Sequence, residues 1–182
     1  MPLFDKTIPS KLQTYVSNYL ADTFMYTLLK EEGLQGWLNA SMINPNSSFQ
    51  LNTTSLNKYL PGIKIFYGPN KPVDFEVKID SIDRFSSCAD TQTMSFYASA
   101  EINMYVEKTP TTLAKAMTIN LDDFYFNFTL IISNMTMQFN ITEAHLLSMR
   151  AQAVFGTLNL TLVTNMINDA FIEGIPIVNK MI

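Results

Sequence analysis

The residues able to do chemistry in this 182-residue chain are few: His145 is its only histidine and Cys88 its only cysteine. A nucleophilic triad or a metal centre needs one of them beside suitable partners, and neither sits in a motif that supplies any. Cys88 lies in a predicted Ser86-Ser87-Cys88-Ala89-Asp90 turn, and His145 falls near the start of a predicted helix. Asp122-Asp123 resembles a carboxylate pair, but neighbours on a strand point to opposite faces and cannot share one site. Asp74, Glu76, Asp80 and Asp83 have the spacing of a solvated strand face rather than that of a calcium loop. The six glycines never form a dinucleotide- or phosphate-binding pattern. No catalytic residue, metal ligand or cofactor is expected, so the chain reads as a non-enzyme. A single cysteine also leaves no intrachain disulfide, and pairing with another segment is the alternative to an inert thiol.

One pattern does carry chemistry, the Asn-x-Ser/Thr acceptor of N-linked sugar. It occurs seven times, at Asn39, Asn46, Asn52, Asn127, Asn134, Asn140 and Asn159, where composition alone would give roughly three. The excess points to a secreted, lumenal or extracellular glycoprotein. An Asn- and Thr-rich composition producing the motifs by accident is the alternative. Asn39, Asn46, Asn52, Asn127, Asn134 and Asn140 are expected to carry glycan, and Asn159, on a predicted inner helix, is not.

The elements that must position these residues follow from periodicity. Phe124, Phe126, Phe128 and Leu130, then Met135, Met137, Phe139 and Ile141, alternate with polar neighbours across a break near Ser133, which predicts a half-buried hairpin over 121–142. Asn127, Asn134 and Asn140 fall on its wet face. Val73, Phe75, Val77 and Ile79 predict another strand, and 94–107 alternates for about thirteen residues, against the usual five or six. Ile63 and Ile65 lead into a turn at 67–70 and open the strand region, while 37–61 reads as loop, short helix or edge structure. Leu12, Val16, Tyr19, Leu20, Phe24 and Leu28 after Pro9-Ser10 predict an apolar helix closed by Gly33, widened by Tyr15, Met25, Tyr26 and Leu29. A second long helix is predicted over 142–173, bent near Gly156, with a strand around 158–162 as its alternative. Long strands with one apolar face need a covering layer, and these helices would supply it.

Composition narrows the partners. Apolar residues make up 47% of the chain and charged ones 15%, which fits one globular domain over 1–182 with a large apolar interior or cavity. Net charge is −4, and the 12 Lys and Arg are scattered along the chain, forming neither the basic stripe that nucleic acid requires nor a polybasic patch for anionic membranes. The N-terminus lacks a signal-peptide pattern, so a longer secreted precursor is expected. No apolar stretch reaches membrane-spanning length.

Several segments together resemble the carboxy-terminal domain of the bactericidal/permeability-increasing protein family, which includes lipopolysaccharide-binding and plasma lipid-transfer proteins. They are the helix from Ser17 to Phe24 running to Glu31-Glu32-Gly33-Leu34, then Leu60-Pro61-Gly62-Ile63-Lys64-Ile65, the strand Phe96 to Val106, Leu121-Asp122-Asp123, and a long helix ending in Gly174-Ile175-Pro176-Ile177-Val178. The resemblance covers most of the chain and rests on order and spacing. It implies an α+β tubular lipid-binding domain, in which a strongly curved antiparallel sheet wraps a long helix and a second apolar helix lines a lipid groove. It also implies one half of a tandem protein, without its amino-terminal sister domain and ending before the last strands. Lipopolysaccharide binding is not carried over, because the family's cationic tips lie mainly in the other half.

The expected function is a domain that binds, or binds and transfers, phospholipid or another acyl lipid, with Leu20, Phe24, Leu28, Val154, Leu158, Leu162 and Met166 lining the groove. Thirteen Phe and eleven Met suit an adaptable cavity, though plain core packing accounts for any one of them. The competing class is a structural or adhesive secreted glycoprotein with the same fold and a closed cavity. Membership of a larger assembly stays open.

Overall fold

The computed structural model describes residues 35–43, 46–47, 49–88, 93–109, 112–133 and 136–179, together with Thr23, Tyr26, Thr27 and Lys30. The first predicted helix, with Leu20, Phe24 and Leu28, otherwise lies outside the described residues. Thr23, Tyr26, Thr27 and Lys30 have helical backbone, and the Thr27 hydroxyl donates to the Thr23 carbonyl at 2.9 Å. Tyr26 is exposed, so it does not widen a buried stripe.

Five antiparallel strands form one open sheet in chain order: β1 (Gln35–Leu38), β2 (Val73–Cys88), β3 (Thr93–Thr109), β4 (Thr112–Ser133) and β5 (Thr136–Ala153). Cross-strand register builds the apolar face. Phe75 pairs with Met104 and Met104 with Met117, while Ile79 pairs with Ala100 and Ala100 with Leu121. Ile119 faces Ala151, and Leu121 faces Met149. Each contact between like-facing side chains contributes about 0.2–1 kcal/mol relative to alanines. Register shifts interrupt all three long pairings, and a bulge bends the strand that carries it. The sheet therefore curves.

The same bulges explain a correction. Residues 142–153 were expected to be helical, but they are strand, and the helix α3 covers only Leu160–Val178. Leu146 and Met149 both turn toward the core because a register shift breaks strict alternation between them, and Ala153 shares the face of Met149 by plain alternation. Their spacing of three and four imitates a helix. His145 thus sits within β5, and Cys88 is the last residue of β2 rather than part of a turn. Gly156, at φ +133°, does mark the reversal between β5 and α3. At the far end α3 continues through Gly174 and Pro176, with the Asn179 amide donating to the Ile175 carbonyl at 2.9 Å.

A second correction concerns Ile63 and Ile65. They begin a short helix, α2 (Ile63–Tyr67), entered through Gly62 at φ +100°, and a still shorter helix, α1 (Thr53–Leu56), precedes it. Leu56, Leu60 and Ile63, spaced four and three apart, are fully buried and close one end of the sheet. Thr53, also buried, holds this cap together. Its hydroxyl donates to the Gly68 carbonyl at 2.6 Å and accepts from the Lys71 amide at 3.0 Å.

Candidate functional site: the apolar wall between sheet and helix

α3 lies against β5 and presents Val163, Met166 and Ile167 to the sheet, all buried, with Ala170 and Phe171 packed against the same core. The spacing i, i+3, i+4, i+7, i+8 is that of one helix face. Its far end is tied down by Asn179, whose carboxamide oxygen accepts from the Ile141 amide and whose nitrogen donates to the Ile141 carbonyl, both at 2.8 Å. A side-chain amide there satisfies β5 as another strand would.

The wall changes character along its length. At the α1–α2 end, small and branched side chains (Val73, Val106, Ala116) are fully buried in the same core as Val163 and Met166. Toward the other end the sheet presents rings. Phe96 stacks on Phe128 with centroids 5.0 Å apart and planes 11° apart, and Phe126 lies 5.4 Å from Phe96. Phe124 reaches Phe171 of α3 at 6.4 Å. Phe126 and Phe171 are only half-buried. This stretch is apolar and partly open, a surface that gains free energy from burial against another apolar body.

The predicted lining residues divide accordingly. Met166 is fully buried, and Leu158 and Leu162 are half-buried at the start of α3. Val154 is 62% exposed in the reversal after β5, because 142–153 is strand rather than helix. Leu20, Phe24 and Leu28 lie outside the described residues. The half-buried rings of Phe126 and Phe171 join the wall beyond the residues that sequence periodicity marks as lining. Their signal was the Phe124-Phe126-Phe128 alternation, read as core wall without a position for α3.

The outer face is polar and well satisfied. The Glu76 carboxylate accepts from the Gln35 side-chain nitrogen at 2.8 Å, the Tyr105 hydroxyl at 3.1 Å and the Asn103 nitrogen at 3.3 Å. Burial and then this hydrogen bond push the Tyr105 phenol up from its ordinary value. A cross-strand ladder runs over all four long strands. Arg84 sits 4.0 Å above the Tyr97 ring, Tyr97 lies 5.2 Å from Tyr125, and Tyr125 stacks on His145 at 4.8 Å. His145 also meets Glu143 at 3.3 Å, and that hydrogen bond draws the exposed Glu143 carboxyl below its usual range. Asp122 is held by Arg150 through two oxygens, while Asp123 faces Ser148 in the next strand. Among the described residues no cluster of His, Cys, Asp and Glu could hold a metal ion.

The sequons fall partly as expected. Asn127 lies on the outer face, accepting from Ser95 at 2.6 Å and donating to Glu143 at 3.1 Å, and Asn140 is half-buried in β5. Asn46 is exposed, and Asn134 lies outside the described residues. Asn39 and Asn52 cap short helices, each accepting from the amide two residues on. Asn159 is not on an inner helix face. It is exposed at the entry to α3, accepting from the Thr161 amide at 3.0 Å.

Among the described residues no helix is long and apolar enough to cross a membrane. No curated protein sequence matches the chain at a significant level. The crystal structure of lipopolysaccharide binding protein is similar in fold, with a TM-score of 0.61 and 16% identity, over 81% of this chain and 33% of that one. The chain thus spans about a third of that structure's length. The sequence description of the LBP / BPI / CETP family, C-terminal domain, matches residues 9–182. The chain belongs to the LBP / BPI / CETP family, as its C-terminal domain.

Proposed function

We propose that this domain binds acyl lipid, with the chains of a phospholipid or a similar molecule laid along the apolar wall between α3 and the sheet. The observation that carries this reading is the passage from the tightly packed end of the wall to the half-buried rings of Phe126 and Phe171. Each methylene moved from water onto such a surface gains roughly 0.8 kcal/mol, so two long chains need no charged anchor. Leu158, Leu162 and Met166 flank the tight end, and Leu20, Phe24 and Leu28 would form the opposite side. The domain would act in a secreted or lumenal setting, beside an amino-terminal sister domain, with no cofactor and no catalytic step. The protein of similar fold is named for binding lipopolysaccharide, which fits a lipid ligand class.

A second reading has its own observation. Phe124 and Phe171 approach across the wall at 6.4 Å, as in a closed interior; this favours a structural or adhesive glycoprotein that uses the outer face. A phospholipid with a photoactivatable acyl chain separates the two. Cross-links on Phe126, Phe171 or Leu162 are expected, whereas labelling confined to the outer face would refute the lipid reading.

A further inference from the structure

Although the cations are scattered in sequence, the fold gathers five of them at one end. Lys71 leads into β2, Lys108 lies near the end of β3 and Lys115 near the start of β4, while Lys58 follows α1 and Lys64 lies in α2, both helices closing that same end of the sheet. Lys58, Lys64, Lys108 and Lys115 are exposed. No ion pair neutralises any of the five among the described residues. Segments 49–73, 112–121 and 151–168, which build this end, contain no Asp or Glu. Glu107 and Asp74 lie at its margin, and Asp169 is held there by the Tyr59 hydroxyl. In a chain of net charge −4 this is a local reversal of sign, and it corrects the expectation of no polybasic patch.

Apolar side chains stand exposed among the lysines. Ile65 is 90% exposed and Phe66 58%. Tyr67 leads from Phe66 to Phe155, with ring centroids 4.9 and 6.4 Å apart, and beside Phe155 stands Val154, whose amide bonds the Ala116 carbonyl. Leu113 and Leu160 are exposed at the same end. Among the described residues nothing covers Ile65 and Phe66, and exposed apolar groups clustered in this way mark a contact site. Branched and aromatic side chains rimmed by five lysines, which outnumber the nearby Asp74, Glu107 and Asp169, match a surface that is apolar beneath and negative on top.

We propose that this lysine-rimmed apolar end is a docking surface for a membrane rich in anionic phospholipid, with Ile65 and Phe66 entering the headgroup layer. It draws on the lipid-binding reading only for purpose, since a membrane is where a lipid carrier would load; the contact itself rests on exposure and charge. Flotation of the full chain with vesicles tests it. Binding is expected to phosphatidylcholine vesicles containing about 30% phosphatidylserine, weakening with salt, and not to phosphatidylcholine alone. Removing one lysine should weaken binding about fivefold, so Lys64→Gln with Lys115→Gln should cost roughly 25-fold. Ile65→Ser with Phe66→Ser should abolish it while leaving the melting temperature unchanged, because both side chains are already exposed. Equal binding to both vesicle types, unaltered binding by these variants, or binding only to an acidic protein would each overturn the proposal. Lipid content measured on the same variants separates the two ideas, because docking can survive in a chain that never retains lipid.

Discussion

Replacing Asn179 by alanine removes both hydrogen bonds that tie the end of α3 to the backbone of Ile141. Each bond is worth about 1 kcal/mol net, and the Ile141 amide and carbonyl are left part-buried without partners. The loss is about 2 kcal/mol, or roughly thirtyfold in the folding equilibrium. For a domain of this size that corresponds to a fall in melting temperature of about 4–8 °C. Thermal unfolding reads the total, and amide hydrogen exchange at Ile141 reads its location. Asn179→Asp should not rescue, since a carboxylate accepts from the amide but repels the carbonyl. If the melting temperature of Asn179→Ala stays within about 1 °C and Ile141 exchange is unchanged, α3 does not lie along β5 as described.

Thr53→Val should destabilise by about 2 kcal/mol in urea titration, because a buried hydroxyl that both donates to Gly68 and accepts from Lys71 is lost in a side chain of equal shape. Burial, and then Glu107, hold the Asp74 carboxyl above its ordinary range. Its folded pKa therefore exceeds the unfolded one, and its contribution to stability falls as pH rises through the folded value. Asp74→Asn is accordingly expected to be more stable than the parent at neutral pH, with the gap closing below the ordinary carboxylate pKa; a constant gap would contradict this. In chain secreted from a glycosylating host, peptide mapping should find sugar at Asn159 as well as at exposed Asn46, since Asn159 is exposed and its oxygen, not its nitrogen, caps α3. A bare Asn159 beside an occupied Asn46 would count against the exposed cap.

Legibility followed periodicity. The strands around Val73 to Ile79, Met94 to Val106 and Phe124 to Phe128 could be read because one face is buried and alternation survives. It failed where a bulge put Leu146 and Met149 three residues apart on one face, so a strand took on helical spacing. Ile63 and Ile65 deceived in the opposite sense, two apart like a strand, although only Ile63 is buried. The polar ladder of Arg84, Tyr97, Tyr125 and His145 depends on register among four strands, which no local pattern contains. The lysine cluster likewise arises from topology. Met166 is buried, and Leu158 and Leu162 half-buried, near the start of α3, where helical spacing was readable; Val154 is exposed because 142–153 is strand.

The central claim, that the wall holds acyl lipid, is tested most directly by native mass spectrometry of the chain purified without detergent. The account predicts a species heavier than the bare polypeptide and its sugars by the mass of one or two acyl lipids, released as lipid on collisional activation. Bare protein alone, unchanged after incubation with phospholipid vesicles, would contradict it.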